Sequence, residues 1–133
     1  MPALDSCHVQ VVHALENAGW TVSPVPHAIR IPGRRYPLLA DLRANRDHEA
    51  IIVVEVKCFL DDPIAELYTA IGQYMVYRSL LRQAPNNFPL FLAIPDYAYR
   101  GIFNEIGMAI VHEAQIKLIV INMDNEVIEQ WLA

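Results

Sequence analysis

Apolar positions along the chain switch repeatedly between a period near 3.6 and a period of two. Cys7, Val11, Ala14, Leu15 and Ala18 recur at helical spacing, so residues 5–19 are predicted helical. Asp5 or Ser6 would cap this helix and Gly19 would end it. Residues 20–31 read as extended, with Pro24 and Pro26 confining them to an irregular or edge strand. Pro32-Gly33-Arg34-Arg35 marks a turn, and Tyr36 to Ala44 a second strand. The polar turn Asn45-Arg46-Asp47-His48 leads into a third strand from Ala50 to Phe59, so the three strands are expected to form an antiparallel meander.

Helical spacing then returns. Asp62-Pro63 sets a capping Asp before a proline at the first helical position. Ile64, Leu67, Tyr68, Ile71, Met75 and Leu80 follow on a helix that should stop near Pro85. Phe88 to Ile94 is a short apolar strand ended by Pro95, and residues 97–114 are expected to be helical with a break near Asn104 or Gly107. Lys117 to Met123 and Val127 to Leu132, joined at Asp124-Asn125, predict a terminal hairpin. The order α-β-β-β-α-β-α-β-β specifies an α/β fold, a mixed sheet flanked by helices. The 133 residues suit one domain spanning 1–133.

Composition narrows this picture. About half the residues are apolar, enough for a core and enough to suggest a homodimer that hides further surface. No uninterrupted apolar run approaches the ~18 residues of a membrane span, and the first residues lack the pattern of a signal peptide, which suggests a cytoplasmic protein. Cys7 and Cys58 sit in apolar stretches and are expected to be reduced, buried thiols. The net charge of −5 argues against a protein that coats nucleic acid generally. Yet Arg30, Arg34, Arg35, Arg43 and Arg46 lie in one segment against a single acid, Asp41. Arg34, Arg35, Arg43 and Arg46 are therefore candidate contacts to DNA phosphates.

Candidate chemistry concentrates in the third strand, IIVVEVKCF, residues 51–59. Ile51, Val53, Glu55 and Lys57 alternate onto one face, which begins apolar and turns charged at its end. Unpaired buried charge costs several kcal/mol, so Glu55 and Lys57 should meet a partner, a cleft or a metal. The chain holds eight Arg and only two Lys. A Lys inside this strand thus looks chosen for a compact ammonium. Asp41 closes the preceding apolar run and, across a hairpin, would lie near Glu55. Two carboxylates and an amine in one cleft suit Mg²⁺ or Mn²⁺ at Asp41 and Glu55, with Lys57 orienting water or stabilising developing charge.

The set Asp41, Glu55, Lys57 on consecutive strands resembles the PD-(D/E)xK nuclease superfamily, whose αβββαβ core the predicted order matches over residues 5–95. A closer resemblance spans nearly the whole chain. His8, Ala14-Leu15, Gly19-Trp20, Asp41-Leu42, Val54-Glu55-Val56-Lys57 with Phe59, Gly72-Gln73-Tyr74, Tyr77-Arg78, Leu92-Ala93-Ile94-Pro95 and Trp131 together resemble the XisH family, fdxN element excision controlling factors of cyanobacteria. The resemblance implies a restriction-endonuclease-like fold and an accessory role in programmed excision of a DNA element, with an XisI-type protein or a site-specific recombinase as partner. Two positions depart from the family's D-L-G-A-E run. Arg43 replaces a Gly and Asn45 an acid. If that acid helps to bind metal, this chain binds metal more weakly or not at all.

Further candidates come from the helices. Superfamily sites often use a Gln on the helix after E-x-K, which points to Gln73, with Tyr77 four residues on and sharing its face. Glu16 could add a carboxylate from the first helix, though a solvent-facing role competes; His8 matches the family but also suits a cap or the core. Tyr74 reads as core. The expected function is therefore a metal-dependent nuclease or nuclease-like subunit acting in excision. The alternative is a non-catalytic binding module of the same fold, or, more distantly, a defence component.

Overall fold

The computed structural model describes residues 7–48 and 50–133. A six-stranded mixed sheet forms the centre, flanked by helices on both faces. Its strands are β1 (Thr21–Val22), β4 (Leu42–Arg46), β5 (Ala50–Val56), β6 (Leu90–Pro95), β7 (Lys117–Asn122) and β8 (Val127–Leu132), in that spatial order. β5, β6 and β7 run parallel, and the other neighbours are antiparallel. A separate two-stranded hairpin pairs β2 (His27–Ile29) with β3 (Leu38–Ala40).

Two helical layers follow from strand alternation. Helix α1 (His8–Asn17) covers one face, burying Val11, Ala14 and Leu15 against Leu42, Ala44, Ile52, Val54 and Val56. Gly19 ends the helix at φ +90, where a side chain would be strained. The proposed caps Asp5 and Ser6 lie outside the described residues. Helix α2 (Pro63–Gln83) covers the other face, burying Leu67, Ala70, Tyr74 and Leu81 against Val53, Leu90 and Leu92. Asp62 caps it as anticipated, its carboxylate accepting from the Ile64 and Ala65 amides. Tyr74 is fully buried, donating from its hydroxyl to the Leu90 carbonyl and accepting from the Lys117 amide.

The structure corrects three expectations. The meander is divided. The predicted second strand breaks at Asp41, so that Leu38–Ala40 pairs with His27–Ile29 in the hairpin while Leu42–Arg46 joins the main sheet. The reason is a tertiary contact, because the Asp41 amide donates to the Glu55 carboxylate fourteen residues on. Helicity between β6 and β7 is unbroken, running from α3 (Asp96–Ala98) through a nine-residue π-helical segment, Tyr99–Gly107, into α4 (Met108–Ala114). Gly107, where a break was expected, is helical and packed on Phe103, whose ring lies 2.8 Å from where a Cβ would sit. Finally, Cys7 and Cys58 are not free thiols but form a disulfide that ties the start of α1 to the segment after β5.

Candidate active site

The break at Asp41 makes the site. Val54 pairs with Leu42, so Asp41 stands opposite Glu55, where the chain leaves the main sheet for the hairpin. Two hydrogen bonds lace these residues together. The Asp41 amide donates to Glu55 Oε1 at 3.1 Å, and the Val56 amide donates to Asp41 Oδ2 at 2.8 Å. Each carboxylate thus has one oxygen held by the opposing backbone.

Glu55 is 4% exposed, the one buried charged side chain among the described residues. Burial, then the neighbouring Asp41 carboxylate, push its pKa up to about 8, against a smaller opposing pull from the Asp41 amide and Lys57. Lys57 continues past β5, its amide bonded to the Ala93 carbonyl. It makes no ion pair within 4.0 Å among the described residues.

Residues 57–59 are firmly placed. Cys58 is fixed through the disulfide and by its carbonyl, which accepts from the Tyr97 hydroxyl at 2.7 Å. Phe59 then turns the chain at φ +57, a conformation bulky residues rarely adopt, held by an edge-to-face contact with Phe103. Such strain persists only where the surrounding packing over-determines it. None of these restraints has a local sequence signature.

Helix α2 packs on this face of the sheet and carries two further candidates. The phenol of Tyr77 is half-buried, and burial, then the charges of Glu55 and Asp41, raise its pKa. Gln73, one turn earlier, has its Oε1 buried with no hydrogen-bond partner. Such an acceptor suits a bound water or substrate.

The other candidates separate. Arg43 pairs with Val53 and so shares the face of Glu55. Arg46 is on the opposite face, stacked over the Trp20 ring at 4.9 Å. Arg34 and Arg35 belong to the turn of the β2–β3 hairpin. His8 and Glu16 are carried by α1, on the face away from Glu55; the Glu16 side chain is exposed beside Asn17, and His8 Nδ1 is buried without a partner. Asn45 pairs with Ile51, four residues from Asp41 and roughly 13 Å along the strand. An acid there would not share a cation with Asp41, so its absence leaves the carboxylate pair intact.

Two carboxylates fit some metals and not others. No group of three or more His, Cys, Asp or Glu side chains with metal-site geometry occurs among the described residues, which disfavours a closed zinc site. Mg²⁺, by contrast, is commonly held by one or two carboxylates plus water and substrate phosphate.

Comparison with known proteins bears on all of this. The XisH protein family model matches residues 1–129. An XisH family protein from Nostoc punctiforme PCC 73102 is 34% identical, with a TM-score of 0.85 over 97% of this chain and 100% of that one. An fdxN element excision controlling factor protein from Anabaena variabilis is also 34% identical, with a TM-score of 0.84 over 95% of this chain and 97% of that one. No curated protein matches.

Proposed function

Because the chain belongs to the XisH family, the fdxN element excision controlling factors, we propose that it acts on DNA during excision of a genomic element as a metal-dependent nuclease or nicking subunit. The observation that carries this reading is the Asp41–Glu55 pair, a buried carboxyl group and a second one laced together by backbone amides at the end of β5. In this reading Asp41 and Glu55 hold Mg²⁺ or Mn²⁺. Bound there, the cation would lower the pKa of a water and polarise a phosphodiester.

The chain's own residues have separate tasks. Backbone amides fix the two carboxylates. Lys57, on the face of Glu55, stabilises charge developing on the phosphate. Gln73 accepts from the attacking water, and Arg43 draws the DNA backbone towards the carboxylates. The test is nicking of supercoiled plasmid with Mn²⁺ or Mg²⁺ by the wild type and by Lys57→Ala. Metal-dependent nicking lost in the variant supports the reading, and nicking that survives Lys57→Ala refutes it.

A second reading, a non-catalytic subunit, rests on a different observation. The outer face of α2 exposes Ile64, Tyr68, Met75 and Val76, with no charged residue between Glu66 and Arg78. Gly72 lies on this helix with open space around it. A second copy of this chain or an XisI-type protein would cover such a face, the association surviving Lys57→Ala and failing in Tyr68→Glu. Co-purification and sedimentation of the two variants separate the readings.

A further inference from the structure

Beside the carboxylate site runs a groove of about 600 Å³ between the β2–β3 hairpin and the C-terminal end of α2. It starts close to the site, since His27 pairs with Ala40, the residue before Asp41, and Leu81 lies one helical turn beyond Tyr77. Arg30, Arg34 and Arg35 line it, and no Asp or Glu does. All three are exposed and make no ion pair among the described residues. In contrast, Arg100 is tied to Asp96 and Glu129, and Arg78 to backbone carbonyls. On a chain of net charge −5, this acid-free cluster selects an anionic occupant.

The floor narrows the choice. It is apolar, and at its inner end the His27 ring meets Phe88 edge-to-face with centroids 5.9 Å apart. Paired bases keep their faces stacked inside a duplex and cannot reach such a floor. Unpaired bases can stack on aromatic rings while arginines follow the phosphates. We infer that this groove binds a single strand of DNA, seating phosphates on Arg30, Arg34 and Arg35 and an unstacked base on His27 and Phe88. Burial, then the charge of Arg43, lower the pKa of His27, which keeps its ring neutral for stacking. The inference deepens the excision reading by naming its substrate as a displaced or recessed strand, delivered to Asp41 and Glu55.

Fluorescence anisotropy in EDTA tests it without cleavage, using labelled oligo-dT and a duplex of equal length. The single strand should bind at least tenfold tighter than the duplex. Arg34→Ala with Arg35→Ala should weaken it about tenfold and flatten the slope of log affinity against log salt by about 0.7 for each phosphate no longer neutralised. Phe88→Leu, a mild change for the fold, should cost about fivefold and leave that slope unchanged. Arg46→Ala on the opposite face should change nothing. Duplex bound as tightly as single strand, a silent double arginine variant, or equal competition by an acidic peptide overturns the inference. Asp41→Asn keeps the two proposals apart, because it should abolish nicking yet leave binding of the strand intact. Single-strand binding without metal-dependent nicking would leave the groove standing and remove the nuclease. Nicking without it would do the reverse.

Discussion

The two faces of the central sheet use the same strand differently. Towards α1, β5 presents Ile52, Val54 and Val56, all buried and all apolar, and Cys58 beyond them closes the layer through its disulfide. Towards α2 it presents Val53 and then Glu55, with Lys57 following. One face is finished as a core; the other stops being a core where the carboxylates begin. The sealed face fixes the strand end, and the open face there brings two carboxyl groups together. Each carboxylate accepts from a backbone amide across the β4–β5 pairing, Glu55 from Asp41 and Asp41 from Val56.

Breaking the open face should have the largest effect. Asp41→Asn, Glu55→Gln and Lys57→Ala should each lower metal-dependent nicking about a thousandfold, ~4 kcal/mol of barrier, with the fold retained by circular dichroism. A comparable loss on the sealed face would appear in stability instead. The disulfide closes a segment with a separation of 51 residues, so reduction or Cys7→Ser with Cys58→Ser should cost about 4 kcal/mol in urea unfolding. Intact protein mass with and without thiol alkylation would establish the pairing first.

Leu15→Ala, at a fully buried position under the sealed face, should cost about 3 kcal/mol and leave Mn²⁺ affinity by calorimetry unchanged. A large change in affinity would show that the faces are not separable in this way.

Glu55 gives a subtler test. Its folded pKa near 8 stands above the ordinary 4.5, so the folded state retains a proton that the unfolded chain has released. This contribution to stability is complete below about pH 4.5 and is lost as pH rises to about 8, an effect on the order of 5 kcal/mol. Thermal unfolding should therefore weaken across that window in the wild type. Glu55→Gln should flatten the dependence, and Mn²⁺ at pH 8 should restore stability by replacing the proton.

How much of this could be read from the sequence follows from which physics is local. Helix caps such as Asp62-Pro63 and the switch of face within IIVVEVKCF are local, and they led to the α/β order and to the Asp41, Glu55, Lys57 grouping. The division of the meander at Asp41 was not legible, because it depends on an amide choosing a carboxylate fourteen residues away over its ladder partner. The disulfide was hidden for a similar reason, as two cysteines in apolar stretches carry no mark of being 5.8 Å apart between Cα atoms. Alternation also explains the splitting of the arginine strip. Arg43 and Arg46 sit three apart on one strand, an odd spacing that sends them to opposite faces. Asn45 looked like a lost ligand in one dimension, and its register places it away from the Asp41–Glu55 pair.

The central claim is that Asp41 and Glu55 share one cation. Anomalous scattering from a crystal soaked in Mn²⁺ tests it most directly. A single peak within about 2.2 Å of an oxygen from each carboxylate is the expected result. A cleft without that peak, closed by the Lys57 ammonium bridging the two carboxylates, would contradict it.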